Sequence, residues 1–148
     1  MMTADSYMVP AFQFRVLFSG LHDLTEQDSS FESVSGIHGT LVDNNTVPPH
    51  QPGKNGTTGF QPVVLRRAVL MPGRSALREW ALNCLNGNAH DPLREVKIEV
   101  LNEEHLPLLV ITLKNVYVKT WALGELHAQK SNLLMEEISL GYHTIEIH

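Results

Sequence analysis

The chain has 148 residues, 18% of them charged, a net charge of −5 and one cysteine. That length suits a single domain able to bury a core without disulfides, and the acidic balance argues against a nucleic-acid binder, whose surface is usually basic. No run approaches the eighteen or more apolar residues of a membrane span, and the opening MMTADSYMVP has neither the basic region nor the apolar run of a signal peptide, so synthesis and folding in the cytoplasm are expected.

Residues 1–10 read as a loose arm ending at Pro10. Phe12, Phe14, Val16 and Phe18 then alternate with polar neighbours, which predicts a strand with one aromatic face, closed by Gly20. The acidic, polar stretch 23–30 reads as a turn or loop. Residues 31–42 form a second extended run whose alternation breaks at Ser35-Gly36, where a bulge or bend is expected. The stretch 43–59, DNNTVPPHQPGKNGTTG, has three prolines and three glycines and predicts a long irregular loop. A third strand follows over 60–70, with Arg66-Arg67 at its middle.

Over 72–87 the period changes. Leu77, Trp80, Ala81, Cys84 and Leu85 recur at i, i+3, i+4, i+7 and i+8, one face of a helix. Ser75 is the expected N-cap, although Arg78 stands where a capping box would place an acid. Asn86-Gly87 supplies the stop. Cys84 lies on the apolar face and reads as a small core residue. Alternation resumes over 94–101, with Val96, Ile98 and Val100 inward and Glu95, Lys97 and Glu99 outward. The fifth strand covers 107–121, and its first half is apolar on both faces, so both need cover from the fold or from another subunit. A loop over 124–132 leads to the last strand, 133–147, whose apolar parity flips near 141–144 and predicts a bulge. The order β-β-β-α-β-β-β, antiparallel by loop length, predicts a mainly β fold: a six-stranded barrel or sandwich with one flanking helix.

Catalytic and metal-binding patterns are missing. Lys54 follows the first glycine of its run and a strand comes next, so 53–59 does not fit a phosphate loop. The eight histidines never fall at i, i+4 on the helix, and no Cys-x2-Cys or His-Glu-x-x-His occurs. The nucleophile elbow Gly-x-Ser-x-Gly is absent. Glu136 and Glu137, adjacent on a strand, point to opposite sides and read as a solvated or salt-bridged pair. No catalytic, cofactor or metal residue is assigned. The cations Arg66, Arg67, Arg74 and Arg78 are expected to meet acids of a neighbouring copy rather than an anionic ligand.

Several segments taken together carry a resemblance. They are Pro10-Ala11-Phe12-Gln13-Phe14-Arg15-Val16 with Gly20-Leu21; Phe31-Glu32-Ser33-Val34-Ser35-Gly36-Ile37; Val64-Leu65-Arg66-Arg67-Ala68-Val69 before a helix with a central Trp80; Leu113-Lys114-Asn115-Val116-Tyr117-Val118-Lys119; and Ala128-Gln129-Lys130-Ser131-Asn132 leading to Glu136-Glu137-Ile138-Ser139-Leu140. In this order they resemble the tail tube proteins of contractile phages and of extracellular contractile injection systems, which share a fold with the secreted tube protein Hcp. The resemblance covers nearly the whole chain.

It implies a single tail-tube domain over 1–148, a six-stranded antiparallel barrel with one flanking helix. Such subunits form hexameric rings that stack into a hollow tube within a sheath and on a baseplate, and DNA or effector proteins pass along the lumen. It implies no enzyme and no cofactor. Subunit contacts are then expected at Arg66, Arg67, Leu108, Val110 and Lys114, and ring-stacking contacts at His50, Lys54 and Asn55 of the long loop. Glu95 and Glu99 are expected to face the lumen, which acids would make negative and repellent to DNA. The 43–59 stretch departs from the family's usual continuation into an acid-Tyr-Arg-Glu-Gly-Gly segment. That leaves two alternatives to the bulk tube subunit: a baseplate-proximal initiator ring, or an Hcp-like ring that carries a cargo or ligand.

Overall fold

A computed structural model describes residues 8–10, 13–21, 24, 26–41, 58–88, 92–129 and 133–148. Among them nine strands and one α-helix follow in order: β1 (Phe14–Ser19), β2 (Ser33–Ser35), β3 (Gly39–Leu41), β4 (Thr58–Phe60), β5 (Val63–Ala68), α1 (Ala76–Leu85), β6 (Leu93–Leu101), β7 (Pro107–Leu123), β8 (Met135–Gly141) and β9 (Thr144–Ile147). A 3₁₀ turn, Glu26–Ser29, lies between β1 and β2.

The 17-residue β7 organises the sheet. Its first half pairs with β6 on one side and β9 on the other, and its second half pairs with β8. Between the halves Asn115 takes a positive φ of 55°, and the register with β8 shifts between Val118 and Thr120. These irregularities turn one strand into a member of two layers. One layer is β1-β6-β7-β9 and the other is β7-β8-β5-β2, every ladder antiparallel.

The inward parity of each strand fills the space between the layers. Val16, Val96, Leu113 and Val116 of the first layer share a core with Val63, Leu65, Ile138 and Leu140 of the second, all fully buried. Leu77, Trp80 and Ala81 of α1 close it from the side. Each such aliphatic side chain contributes about 1.5–3 kcal/mol through removal from water.

Two expectations are corrected. Among the described residues the strands number nine rather than six, and the sheet does not close into a barrel, because β1 and β2 end the strand path without a ladder between them. The extra strands come from bends. Gly36, at φ 85°, breaks the second extended run into β2, which pairs with β5, and β3, which pairs only with β4 in a separate ladder. The last run breaks after Gly141 into β8 and β9, at the position where its parity flips. The helix is shorter than 72–87, and its face is less uniform: Cys84 is half-buried, with its thiol pushed up by burial, and Leu85 is exposed.

Candidate functional site

Chemistry-bearing side chains gather in two places, one inside the fold and one on its surface. The inner one begins at the helix N-terminus. The Ser75 hydroxyl accepts the Arg78 amide at 3.0 Å, an ordinary N-cap. The acid that the capping box lacks comes from far away in sequence: Asp28, in the 3₁₀ turn, accepts the Ala76 amide at 2.9 Å and the Ser75 hydroxyl at 2.7 Å. Its negative charge sits where the helix dipole favours it.

Arg67 of β5 joins this cap to the sheet. Its Nη1 donates to Asp28 at 3.0 Å, its Nη2 to Ser75 Oγ at 2.5 Å and its Nε to Glu136 Oε1 at 3.1 Å, while the guanidinium lies 4.8 Å from the Phe31 ring centre. The other Glu136 oxygen accepts Trp121 Nε1 at 2.9 Å and lies 3.7 Å from Arg78 Nη1. Asp28, Arg67, Ser75 and Glu136 are each no more than 3% exposed. Two guanidiniums face two carboxylates, and the fork geometry of Arg67 reaches both acids. These four side chains are withdrawn from solvent, and none of them lines the hollows described below. It fastens the 3₁₀ turn, β5, α1, β7 and β8 to one another.

This overturns part of the basic-cluster expectation. Arg67 and Arg78 meet acids of their own chain, and the burial of Arg67 withdraws it from any contact with a neighbouring copy. Arg66, half-exposed on the opposite parity, also pairs within the chain, with Glu32 at 3.0 Å and Glu137 at 3.5 Å. Glu136 and Glu137 do point to opposite sides, but only Glu137 is solvated. Sequence reasoning missed Asp28 and Trp121 as partners; the one available signal was the incomplete capping box at Ser75.

The surface site is the outward face of the β1-β6-β7-β9 layer, the side away from Val16, Val96 and Leu113. Its residues stand in three rows across the strands, most of them exposed or half-buried, with Glu99 and Thr112 buried at 9% and 4%. Arg15, Glu99, Val110 and His148 form the first. Leu17, Lys97, Thr112 and Glu146 form the second, and Ser19, Glu95, Lys114 and Thr144 the third. Directly opposed residues of an antiparallel pair share a face. The register therefore places Glu99 opposite Val110 and Glu95 opposite Lys114, so residues expected at a subunit contact and residues expected in the lumen stand side by side. Arg15 Nε donates to Glu99 at 2.5 Å, and Lys114 lies 3.3 Å from Glu146. Leu108 lies one alternation beyond Val110 on the same strand and is exposed. His50, Lys54 and Asn55 lie outside the described residues.

Two hollows accompany these sites. An apolar cleft of about 230 Å³ opens at the unclosed seam, among Phe14, Val34, Ile37, Ile98, Val100 and Ile111. A wider groove of about 590 Å³ runs beneath Leu126 and Leu133, with Glu32 and Arg66 at its edge. Among the described residues no three His, Cys, Asp or Glu side chains gather as a metal site, and no helix is long and apolar enough to cross a membrane.

Comparison with known proteins is consistent with this geometry. A search of curated proteins gives no significant match. A solved anti-feeding prophage baseplate, symmetrised six-fold, contains a chain of TM-score 0.71 and 23% identity, covering 94% of this chain and 95% of that one. A chain of the sheath–tube complex of an extracellular contractile injection system, PVC, gives TM-score 0.69 at 17% identity, covering 100% and 99%. A crystal structure of an Hcp protein gives 0.57 at 12%, covering 91% and 97%. These likenesses establish the fold. Residues 10–146 match the family described as T4-like virus tail tube protein gp19. With nearly the whole chain inside that match, the protein belongs to the T4-like tail tube protein family.

Proposed function

We infer that this chain is the non-catalytic structural subunit of the inner tube of a contractile tail or contractile injection system. It forms hexameric rings that stack into a hollow conduit for DNA or effector proteins. Membership of the tail tube family over residues 10–146 carries this reading. Physical support comes from the strand edges: among the described residues β1, β2 and β9 each pair on one side only. Such edges are a liability in a monomer, and a ring of copies covers them. The similar chains come from a six-fold symmetrised baseplate and from a sheath–tube complex, which favours a sheath and a baseplate as partners. On this reading the protein is made in the cytoplasm and incorporated into the particle. Leu108, Val110, Lys114 and the exposed side of Arg66 are the proposed subunit contacts, His50, Lys54 and Asn55 the proposed ring-stacking contacts, and Glu95 and Glu99 face the lumen.

A baseplate-proximal initiator ring is the second reading, favoured by the likeness to the baseplate chain. Negative-stain electron microscopy of the purified protein, with mass measured by light scattering, separates the two. Stacked tubes of six-fold rings support the bulk subunit, and single rings support the initiator. A monomer at high concentration that stays monomeric with baseplate and sheath proteins present refutes both.

A further inference from the structure

On the outward face of the β1-β6-β7-β9 layer every row across the strands carries one acid and one base. Arg15 stands with Glu99, Lys97 with Glu146, and Lys114 with Glu95. Counting side chains, with histidine neutral, the three rows sum to zero, so the side-chain net charge of −5 lies elsewhere on the chain. The acids expected to make a negative wall are therefore each matched by a cation.

The range of the resulting field decides what such a face can do. Strands lie about 4.8 Å apart, and charges alternating on that scale cancel within roughly one or two spacings. A wall of net sign projects to a Debye length of about 8 Å at physiological salt. DNA carries a negative charge for about every 1.7 Å of its axis, and a negative wall would keep it sliding by repulsion. The neutral weave neither repels it nor holds it. Proteins carry patches of both signs, which a wall of either sign would capture and a neutral weave would not. The outward face of the other layer is less suited to passage. It leads to the groove where Leu126 and Leu133 are 77% and 78% exposed, an apolar surface that would hold an extended polypeptide.

We propose that the β1-β6-β7-β9 face is the channel wall and that its balanced charge passes cargo of either sign without selecting it by charge. This rests on the tube reading, and its test keeps the two apart. In a Cys84→Ala background, Lys97→Cys marks the face and Ala122→Cys marks the exposed outward side of β7 in the other layer. Tubes are first verified by electron microscopy; failure to form any assembly counts against the tube reading and removes the proposal with it. In verified tubes a small maleimide labels both positions, and a bulky polymer-linked maleimide labels only Ala122→Cys. Equal bulky labelling at Lys97→Cys places the face outside and overturns the proposal with the tube reading intact. For cargo, wild-type tubes retain a small basic protein, a small acidic protein and short duplex DNA to within about twofold in co-sedimentation. Lys97→Glu tubes retain the basic protein about tenfold more, near 1.4 kcal/mol. A wild-type preference of tenfold for either protein or for the DNA, or no response to Lys97→Glu, overturns the proposal.

Discussion

Glu136→Gln tests whether the buried cluster holds the helix to the sheets. The substitution keeps volume and changes only charge and donor pattern. As a carboxylate, Glu136 is an acceptor at both oxygens: Oε1 takes Arg67 Nε and Oε2 takes Trp121 Nε1. An amide must turn its NH₂ toward one of these donors, so a hydrogen bond is lost whichever way it flips. The change also removes the carboxylate charge beside Arg67, whose side chain is only 3% exposed, and beside Arg78, whose guanidinium keeps the Leu70 and Met71 carbonyls. Removing one partner of a buried ion pair costs about 3–5 kcal/mol, since the other charge stays buried without compensation. Domains of this kind have roughly 5–15 kcal/mol of stability in all. The loss should lower Tm by about 6–20 °C at roughly 2–4 °C per kcal/mol. Urea unfolding of the unassembled chain, followed by tryptophan fluorescence, measures it directly, and Trp121 reports on the altered contact. The companion double substitution Arg67→Met/Glu136→Leu should recover part of the loss of Arg67→Met alone, because it removes one of the two buried carboxylates that Arg67→Met leaves without their guanidinium. A loss below about 1 kcal/mol for Glu136→Gln, the level of a surface pair, would refute the reasoning.

Three further outcomes are expected. Tyr142 is buried against Phe60, and its hydroxyl has no hydrogen-bond partner among the described residues; Tyr142→Phe should leave stability unchanged or raise it by about 1–2 kcal/mol in the same urea assay, and a comparable loss would show that the hydroxyl is partnered. Gly36 combines φ 85° with a Cβ position 2.7 Å from the Pro62 carbonyl oxygen, so Gly36→Ala should cost about 1–3 kcal/mol, with a change under 0.5 speaking against the bend. Burial raises the Cys84 thiol, so at pH 8 its alkylation by iodoacetamide should be slower in the native chain than in urea by at least about fivefold. The sign follows from linkage: the stability this group contributes is full below the unfolded thiol's range and is lost as pH rises through the raised folded value.

What alternates could be read from the sequence. The parities of β1 and β6 set Val16, Phe18, Val96 and Ile98 inside, as the pattern predicts. The chain also bends at Gly36 and after Gly141, where the pattern breaks. The failure to close could not be read, because closure depends on whether β1 and β2 meet, a question of non-local geometry. Arg66-Arg67 shows the same limit at the level of a single pair. Adjacent strand residues face opposite ways, so one of the two had to turn inward, but composition alone assigns both to the surface. Which one turned was settled by Leu65, whose burial fixes Arg67 on the inner parity two residues later.

Once Arg67 is inside, the rest of the cluster follows from the cost of leaving it unpaired. A guanidinium there needs acceptors on several sides. Glu136 stands directly opposite on β8, supplied by register. Asp28 comes from a stretch whose polarity makes it look like exposed loop, yet one carboxylate there both completes the Arg67 fork and caps α1. Such a network adds little net stability over an apolar core of the same shape. Its contribution is specificity: α1 can dock in only one register, with Ser75 at Asp28 and Arg78 near Glu136. A subunit that must present two sheet faces to different surroundings needs that fixed geometry more than it needs extra stability. The face that meets cargo and the edges that meet neighbours can then be set by surface residues alone.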